Sequence, residues 1–461
     1  MMNAVRVLGS NVKPRPMVFL LCAMILGLGV LILALPSCAK DSADSARTHA
    51  SISKTVFDNG LTLLVKPNPA NEVVAVNVFV RMGLMYEPLQ KAGLSTLTQR
   101  VLTMGTTSRS AQEIANETES VGAHIGASAS HDYGNVVLLT TREGFERSMK
   151  VFLDVLQNPT FPQEEVEKEK SMLLQQIATM EDQPFNAALI VFLKSFYGDH
   201  PYAYLPTGTL ETVSALKRED LVDWFRKVYV PNNMVITVVG NVDPAEVSRL
   251  FADSLGKLPR GNPLEPARVA LSTKAGNIES YKQKNTQALF FVLGYPGPDI
   301  LNEDAPAMDV LNTILGAGMS SRLFVELRDK KGLAYAVSSG YLRQAGPSCI
   351  FAFMATAPAN YKAARDGMIA EFEKLMKEEV SPDELMSAKK FVKGIYIMSH
   401  ETNSAQGSFL GRYEMLGLGY EYDQKYPELI EKVTAADIKR VAKEYFDYFT
   451  IGALSPVPLG E

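Results

Sequence analysis

Gly93-Leu94-Ser95-Thr96-Leu97-Thr98-Gln99-Arg100-Val101-Leu102-Thr103-Met104-Gly105-Thr106 is the stretch whose reading decides the rest of the chain. Leu94, Leu97, Val101 and Met104 recur at helical spacing. They predict the apolar face of a helix from about Lys91 to Met104, with Gly105 as its stop. The other face presents Thr96, Gln99, Arg100 and Thr103. Positions 96, 99 and 100 stand at i, i+3 and i+4, so their side chains share one side of the helix.

Working outward, Val73–Val80 is rich in β-branched residues and reads as a strand. His124–Thr141 reads as strands, and helical patterns follow at about Gly144–Leu156 and Gln163–Met180, with Pro162 before the second and Pro184 past its end. Met234–Gly240 is a buried strand that runs into a turn at Asn241–Pro244. A Pro- and Gly-bearing stretch, 259–266, then reads as a linker. Beyond it the order repeats: a strand at Ala288–Leu293, helices at Ala305–Leu315 and Arg322–Lys330, strands at Leu333–Leu342 and Cys349–Thr356, and helices at Tyr361–Lys377 and Pro382–Ser399. Gly316-Ala317-Gly318 lacks the Gly-Lys-Ser/Thr of a phosphate loop and reads as a turn before a Ser320/Ser321 helix cap. Pro162-Gln163-Glu164 matches Pro382-Asp383-Glu384, and Leu216, Asp220 and Leu221 match Val433, Asp437 and Ile438 at nearly the same offset. Duplication is the expectation. The fold class is α+β: two similar domains, 51–258 and 267–461, each a sheet with helices packed on it.

Composition fits an ordinary globular protein, 46% hydrophobic and 21% charged, with a net charge of −5. An acidic body without a basic stripe argues against nucleic acid as a partner. Arg6, Lys13 and Arg15 precede an uncharged apolar run, Met17–Leu35, which reads as an export leader over residues 1–38. Its end, Leu35-Pro36-Ser37-Cys38, resembles a bacterial lipobox, in which Cys38 would be lipidated after cleavage. Ordinary cleavage nearby and an uncleaved anchor are the alternatives, and each places the body on the periplasmic side of the membrane. After Cys38 only Cys349 remains, so no intrachain disulfide is expected in the body.

The frame at 93–106 resembles the signature helix of the pitrilysin/insulinase family of inverse zincins, which reads roughly G-L-x-H-x-x-E-H-x-x-x-x-G-T. Gly83-Leu84-Met85-Tyr86-Glu87-Pro88, Tyr197–Tyr202, Thr207-Gly208-Thr209, Tyr229–Met234, Gly240–Pro244, Met319–Phe324, Arg328 and Gly332–Tyr335 extend the likeness from about Ser51 to the C-terminus. The chemistry departs from it. Thr96 and Arg100 stand where the two zinc-binding His would be, and Gln99 where the general base would be. The family's third ligand is a Glu seven residues after another acid on a later helix; here the acid is Glu169 and the ligand position is Gln176. Thr and Gln are weak neutral substitutes for zinc ligands, a guanidinium repels a dication, and an amide cannot act as a base. Arg100 could pair with Glu169 in the metal's place, or both could face solvent. Among the His residues no pair stands at ligand spacing, and His131 and His200 read as loop or surface residues. No metal or other cofactor is expected in this chain.

The resemblance implies further roles. The family's carbonyl-binding Arg/Tyr pair corresponds to Arg328 and Tyr335, and its peptide-holding sheet edge to Ala127-Ser128-Ala129-Ser130. The implied reading is a non-catalytic subunit of a two-chain zinc peptidase. Its partner would be a homologous two-domain chain with H-x-x-E-H that holds the zinc, and the substrate would be a peptide. A stand-alone peptide-binding or scaffold protein of the cell envelope is the alternative.

Overall fold

The computed structural model describes residues 51–262, 264–266, 271 and 276–459; the leader, Cys38 and part of the linker lie outside them. The first half holds β1 (Ser53–Val56), β2 (Thr62–Pro67), β3 (Val73–Val80), α1 (Leu94–Val101), α2 (Ala111–Glu119), β4 (His124–Ala129) and β5 (Gly134–Thr141). It continues with α3 (Phe145–Gln157), α4 (Gln163–Asp182), α5 (Pro184–Tyr197), α6 (Leu210–Ala215), α7 (Arg218–Val228), β6 (Met234–Gly240) and α8 (Pro244–Asp253). The second half holds β7 (Ile278–Gln283), β8 (Leu289–Gly297), α9 (Ala305–Leu315), β9 (Ala336–Leu342), β10 (Ser348–Thr356) and α10 (Tyr361–Lys377). After these come α11 (Pro382–Met398), α12 (Asn403–Leu416), α13 (Tyr422–Lys432), α14 (Ala435–Tyr445) and β11 (Thr450–Ser455).

The duplication is visible in the sheets. The first runs β1-β2-β6-β3-β5-β4 and the second β7-β11-β8-β10-β9. In each, a parallel pair (β2 with β6, β7 with β11) leads into antiparallel strands, with Leu63 opposite Ile236 and Ile451 opposite Glu279. The match of Leu216, Asp220 and Leu221 with Val433, Asp437 and Ile438 is one device used twice, whereas Pro162 caps α4 without a side-chain bond and Pro382 opens α11 behind a Ser381/Glu384 capping box. Lys217 N–H donates to the Asp220 carboxylate at 2.9 Å and Thr434 N–H to that of Asp437 at 2.9 Å, each closing the first turn of a helix.

Each sheet is covered on one face by helices of its own half. The other face receives a helix from the opposite half: α5 lies on β11, β8 and β7, and α12 on β3 and β6. Phe192 and Leu193 of α5 thereby share a core with Val292, Cys349 and Leu454, and Leu410 and Met415 of α12 share one with Leu64, Phe79 and Val239. Buried on both faces, β3 and β6 are apolar almost throughout rather than alternating.

Three local readings are corrected. The signature helix is shorter than its periodicity suggests, ending at Val101, so Thr103 and Met104 lie beyond it. Ser320 and Ser321 do not cap a helix: Ser321 Oγ donates back to the Gly318 carbonyl at 2.6 Å, and Phe324–Lys330 winds as a π-helix with no side-chain cap. His200 is buried, packed 4.6 Å from the Tyr202 ring, with its Nδ1 accepting from Tyr202 N–H at 3.1 Å.

Candidate functional site

The helix α1 is fixed at its start. Gly93 adopts φ 96°, where any side chain would be strained. The N–H groups of Gly93 and Ser95 both donate to the buried carboxylate of Glu87, at 2.9 and 2.7 Å. An acceptor anion suits a helix N-terminus, while burial pushes the Glu87 carboxyl up to about 7. Ser95 Oγ accepts from Gly83 N–H at 2.9 Å and from Trp224 Nε1 at 3.1 Å, tying α1 to the preceding loop and to α7.

From this fixed frame the motif side chains diverge. Thr96 Oγ1 donates to the Pro206 carbonyl at 2.6 Å. Gln99 does not sit on an outer polar face but is 1% exposed. Its amide donates to the Ser128 carbonyl of β4 at 3.1 Å and accepts from Tyr229 Oη at 2.6 Å. Burial holds the Tyr229 phenol well above its ordinary range, so it remains a donor. A carboxylate at position 99 could accept from Tyr229 but has no hydrogen for Ser128. The amide at the general-base position is therefore a strut between α1 and the sheet edge.

Arg100 turns the other way, onto α4. Its Nη1 lies 3.5 Å from Glu169 Oε2, and its Nη2 donates to Gln176 Oε1. Residues 169 and 176 share a helix face because seven residues make two turns. The pairing of Arg100 with Glu169 is thus what the structure holds, with Gln176 added to it; Glu169 does not face solvent. Of the four motif positions, Arg100 and Gln176 come together, while Thr96 and Gln99 are engaged elsewhere.

These residues do not fit a zinc ion. The one amide oxygen at a ligand position is taken by a guanidinium, and the other groups are hydrogen-bonded away or cationic. Among the described residues no group of three or more His, Cys, Asp or Glu is placed to hold a metal ion. Arg100→Ala would strand the Glu169 side chain, which is 11% exposed. Urea unfolding is expected to show a loss of about 1–3 kcal/mol. Arg100→Lys, a point charge without the fork, should recover only part of it. Unchanged stability in Arg100→Ala would mean that the cluster does not brace the helices.

Arg328 and Tyr335 are both exposed, Tyr335 at 68%. The Arg328 guanidinium rests 4.7 Å over the Phe324 ring, and Tyr335 N–H donates to the Ala355 carbonyl at 2.8 Å just before β9. Ala127, Ser128 and Ala129 lie on β4, the outer strand of the first sheet, and Ser130 begins the turn beyond it. Sequence reasoning missed Glu87, Trp224 and Tyr229 as supports of the motif helix. Tyr229 opens the run Tyr229–Met234, but only the folded chain brings it to Gln99, 130 residues away.

Residues 62–204 match the family model described as Insulinase (Peptidase family M16), and residues 215–392 the one described as Peptidase M16 inactive domain. An uncharacterized zinc protease of Rickettsia felis is 30% identical over 414 residues, covering 88% of this chain and 98% of that protein. The uncharacterized zinc protease YmxG of Bacillus subtilis is 26% identical over 410 residues, with 88% and 98% covered. A protease from Helicobacter pylori superposes with a TM-score of 0.80 at 23% identity, covering 88% of this chain and 100% of that one. A peptidase M16 inactive domain from Pseudomonas fluorescens superposes with a TM-score of 0.81 at 22% identity, covering 89% and 99%. These two structures speak for the two-domain α+β fold.

Proposed function

We infer the role of this chain from one premise: it belongs to the insulinase family of peptidases, family M16. On that footing it is the non-catalytic subunit of a two-chain zinc peptidase. The observation that carries the reading is the guanidinium of Arg100 lodged against Glu169 and Gln176, a permanent cation where a relative would coordinate a metal. The zinc and the general base belong to a homologous partner with H-x-x-E-H.

This chain contributes Arg328 and Tyr335. A guanidinium and a phenol are hydrogen-bond donors suited to a developing oxyanion. Their exposure, with no carboxylate of the described residues paired to Arg328, supports a role toward a second chain. The outer strand β4, with Ala127 and Ala129 as small side chains, suits an extended peptide that adds as a further strand. The leader supports a place on the periplasmic side of a membrane, with lipidation at Cys38, ordinary cleavage nearby and retention of the apolar run as an anchor as the alternatives.

The test is to purify the chain alone and with a candidate partner that carries H-x-x-E-H. The chain alone is expected to hydrolyse no peptide. In the mixed complex, Arg328→Ala should lower kcat by about a hundredfold to a thousandfold with little change in assembly, the range expected when one transition-state donor is lost. Activity of the chain alone, or an unaltered rate with Arg328→Ala, would count against the reading.

A further inference from the structure

Two sheet edges end at one cavity. The first is β4, which runs into Ser130; the second is β9, whose last residues Tyr341 and Leu342 lead into Arg343. Between the halves lies a cavity of about 440 Å³, walled by Ser130 and Tyr133 from the first turn, Tyr341 and Arg343 from the second, and Arg412 and Tyr413 from α12.

The wall carries two guanidiniums whose hydrogen-bonding capacity is incompletely used. Arg343 pairs with Asp309 at 3.0 Å and donates to Tyr422 Oη at 2.7 Å, but its Nε is buried and meets no acceptor among the described residues. Arg412 is used less. Its Nη2 reaches the Arg343 carbonyl at 3.3 Å, and its Nε is likewise buried without an acceptor. The nearby acids are already engaged. Asp309 also accepts from Tyr426 Oη at 2.8 Å, and Asp132 accepts from Tyr202 Oη and, at 3.3 Å, from Ala345 N–H. Burial raises both carboxyls above their ordinary range, which weakens them as counter-ions. His131, also in the wall, is held below its usual range by burial and adds no fixed charge.

A buried donor without an acceptor is costly, and native structures seldom leave two side by side. The missing partner must accept hydrogen bonds and, beside two cations, should be an anion. A carboxylate offers two oxygens in the plane a guanidinium prefers. Tyrosine rings on the remaining wall suit the aliphatic part of an amino-acid residue.

We propose that this cavity binds a carboxylate of a peptide, either its C-terminus or an acidic side chain. The peptide part of this inference rests on the reading of β4 as a docking edge.

The experiment compares three fluorescent peptides of otherwise neutral sequence by anisotropy: the free acid, the C-terminal amide, and the amide with one internal Glu. The plain amide should bind about tenfold more weakly than at least one of the others. The peptide that keeps its affinity identifies the source of the carboxylate. In Arg412→Gln the difference should vanish, and in Arg412→Lys, which keeps charge but loses Nε, it should shrink. Equal binding of all three to the parent protein overturns the proposal. Thermal unfolding with N-acetylglycine against its amide needs no strand pairing. A rise in the midpoint with the acid alone, lost in Arg412→Gln, supports the cavity even if no peptide binds, in which case only the docking edge is wrong. If N-acetylglycine does not raise the midpoint, the proposal falls whether or not peptides pair with β4.

Discussion

The fourfold variant Thr96→His, Gln99→Glu, Arg100→His, Gln176→Glu is expected to bind one zinc ion per chain, and the parent none. The largest single contribution is removal of the guanidinium. At about 4 Å and an effective dielectric of about 20, one fixed positive charge opposes a dication by about 8 kcal/mol. Arg100 reaches from α1 to Gln176 on α4, so an imidazole at position 100 would face the new carboxylate across the same gap. A His at 96 must give up the contact that Thr96 makes with the Pro206 carbonyl at 2.6 Å, which is its main local cost. A Glu at 99 keeps the hydrogen bond from Tyr229 and loses the one to Ser128, freeing the helix from the sheet edge. Metal analysis after dialysis, and competition against a chelator, read the result. Affinity should fall as pH drops through the imidazole range, because the ligands must be deprotonated. Arg100→His alone should bind no stoichiometric zinc, since Thr96 and Gln176 remain weak neutral ligands. Absence of zinc in the folded fourfold variant would show that the backbone frame, and not only the side chains, has departed from a metal site.

The sequence carried the frame of this site better than its internal bonding. Met234–Gly240, Ala305–Leu315 and Tyr361–Lys377 were legible to the residue because each has a strong period or a continuous β-branched run. Arg100 beside Glu169 was legible as one of two options, since residues spaced seven apart on one helix share a face. Gln99 was misread because amphipathic periodicity sorts residues by polarity, and a buried amide that satisfies both its ends breaks that rule. His200 was misread for the same reason: its polar ring is buried among Tyr197 and Tyr202. The helices α5 and α12 went unread altogether. Helix α5 is apolar nearly all round, and α12 presents Gly407 and Gly411 where an apolar stripe would be sought. Neither pattern resembles a helix with one wet face, because each is pressed against the sheet of the other half of the chain.

That exchange of helices makes the two halves one cooperative unit, and Phe192→Ala and Gly452→Val test it. Phe192 is fully buried in α5, and its loss should cost about 3–5 kcal/mol, the range for deleting a buried aromatic ring. Gly452, on β11, is where α5 comes closest. A Cβ there would stand 2.1 Å from the Phe192 backbone nitrogen and 2.4 Å from its Cα, so no side-chain movement could relieve it. Gly452→Val must therefore lift α5 off the second sheet, with a cost as large as that of the lost ring or larger. The counterpart contact is Gly411 of α12, where a Cβ would meet the Phe79 ring at 2.3 Å. Trp224, the single tryptophan, sits in α7 of the first half and gives a fluorescence signal confined to that half. Were the halves independent, Gly452→Val would leave the Trp224 transition in urea where it is in the parent. Because α5 follows α4 after the single residue Gln183, packs against it and also lies on the second sheet, the Trp224 midpoint should instead fall together with the transition followed by far-ultraviolet circular dichroism. In the double variant the two losses should be less than additive, since both act on the same contact.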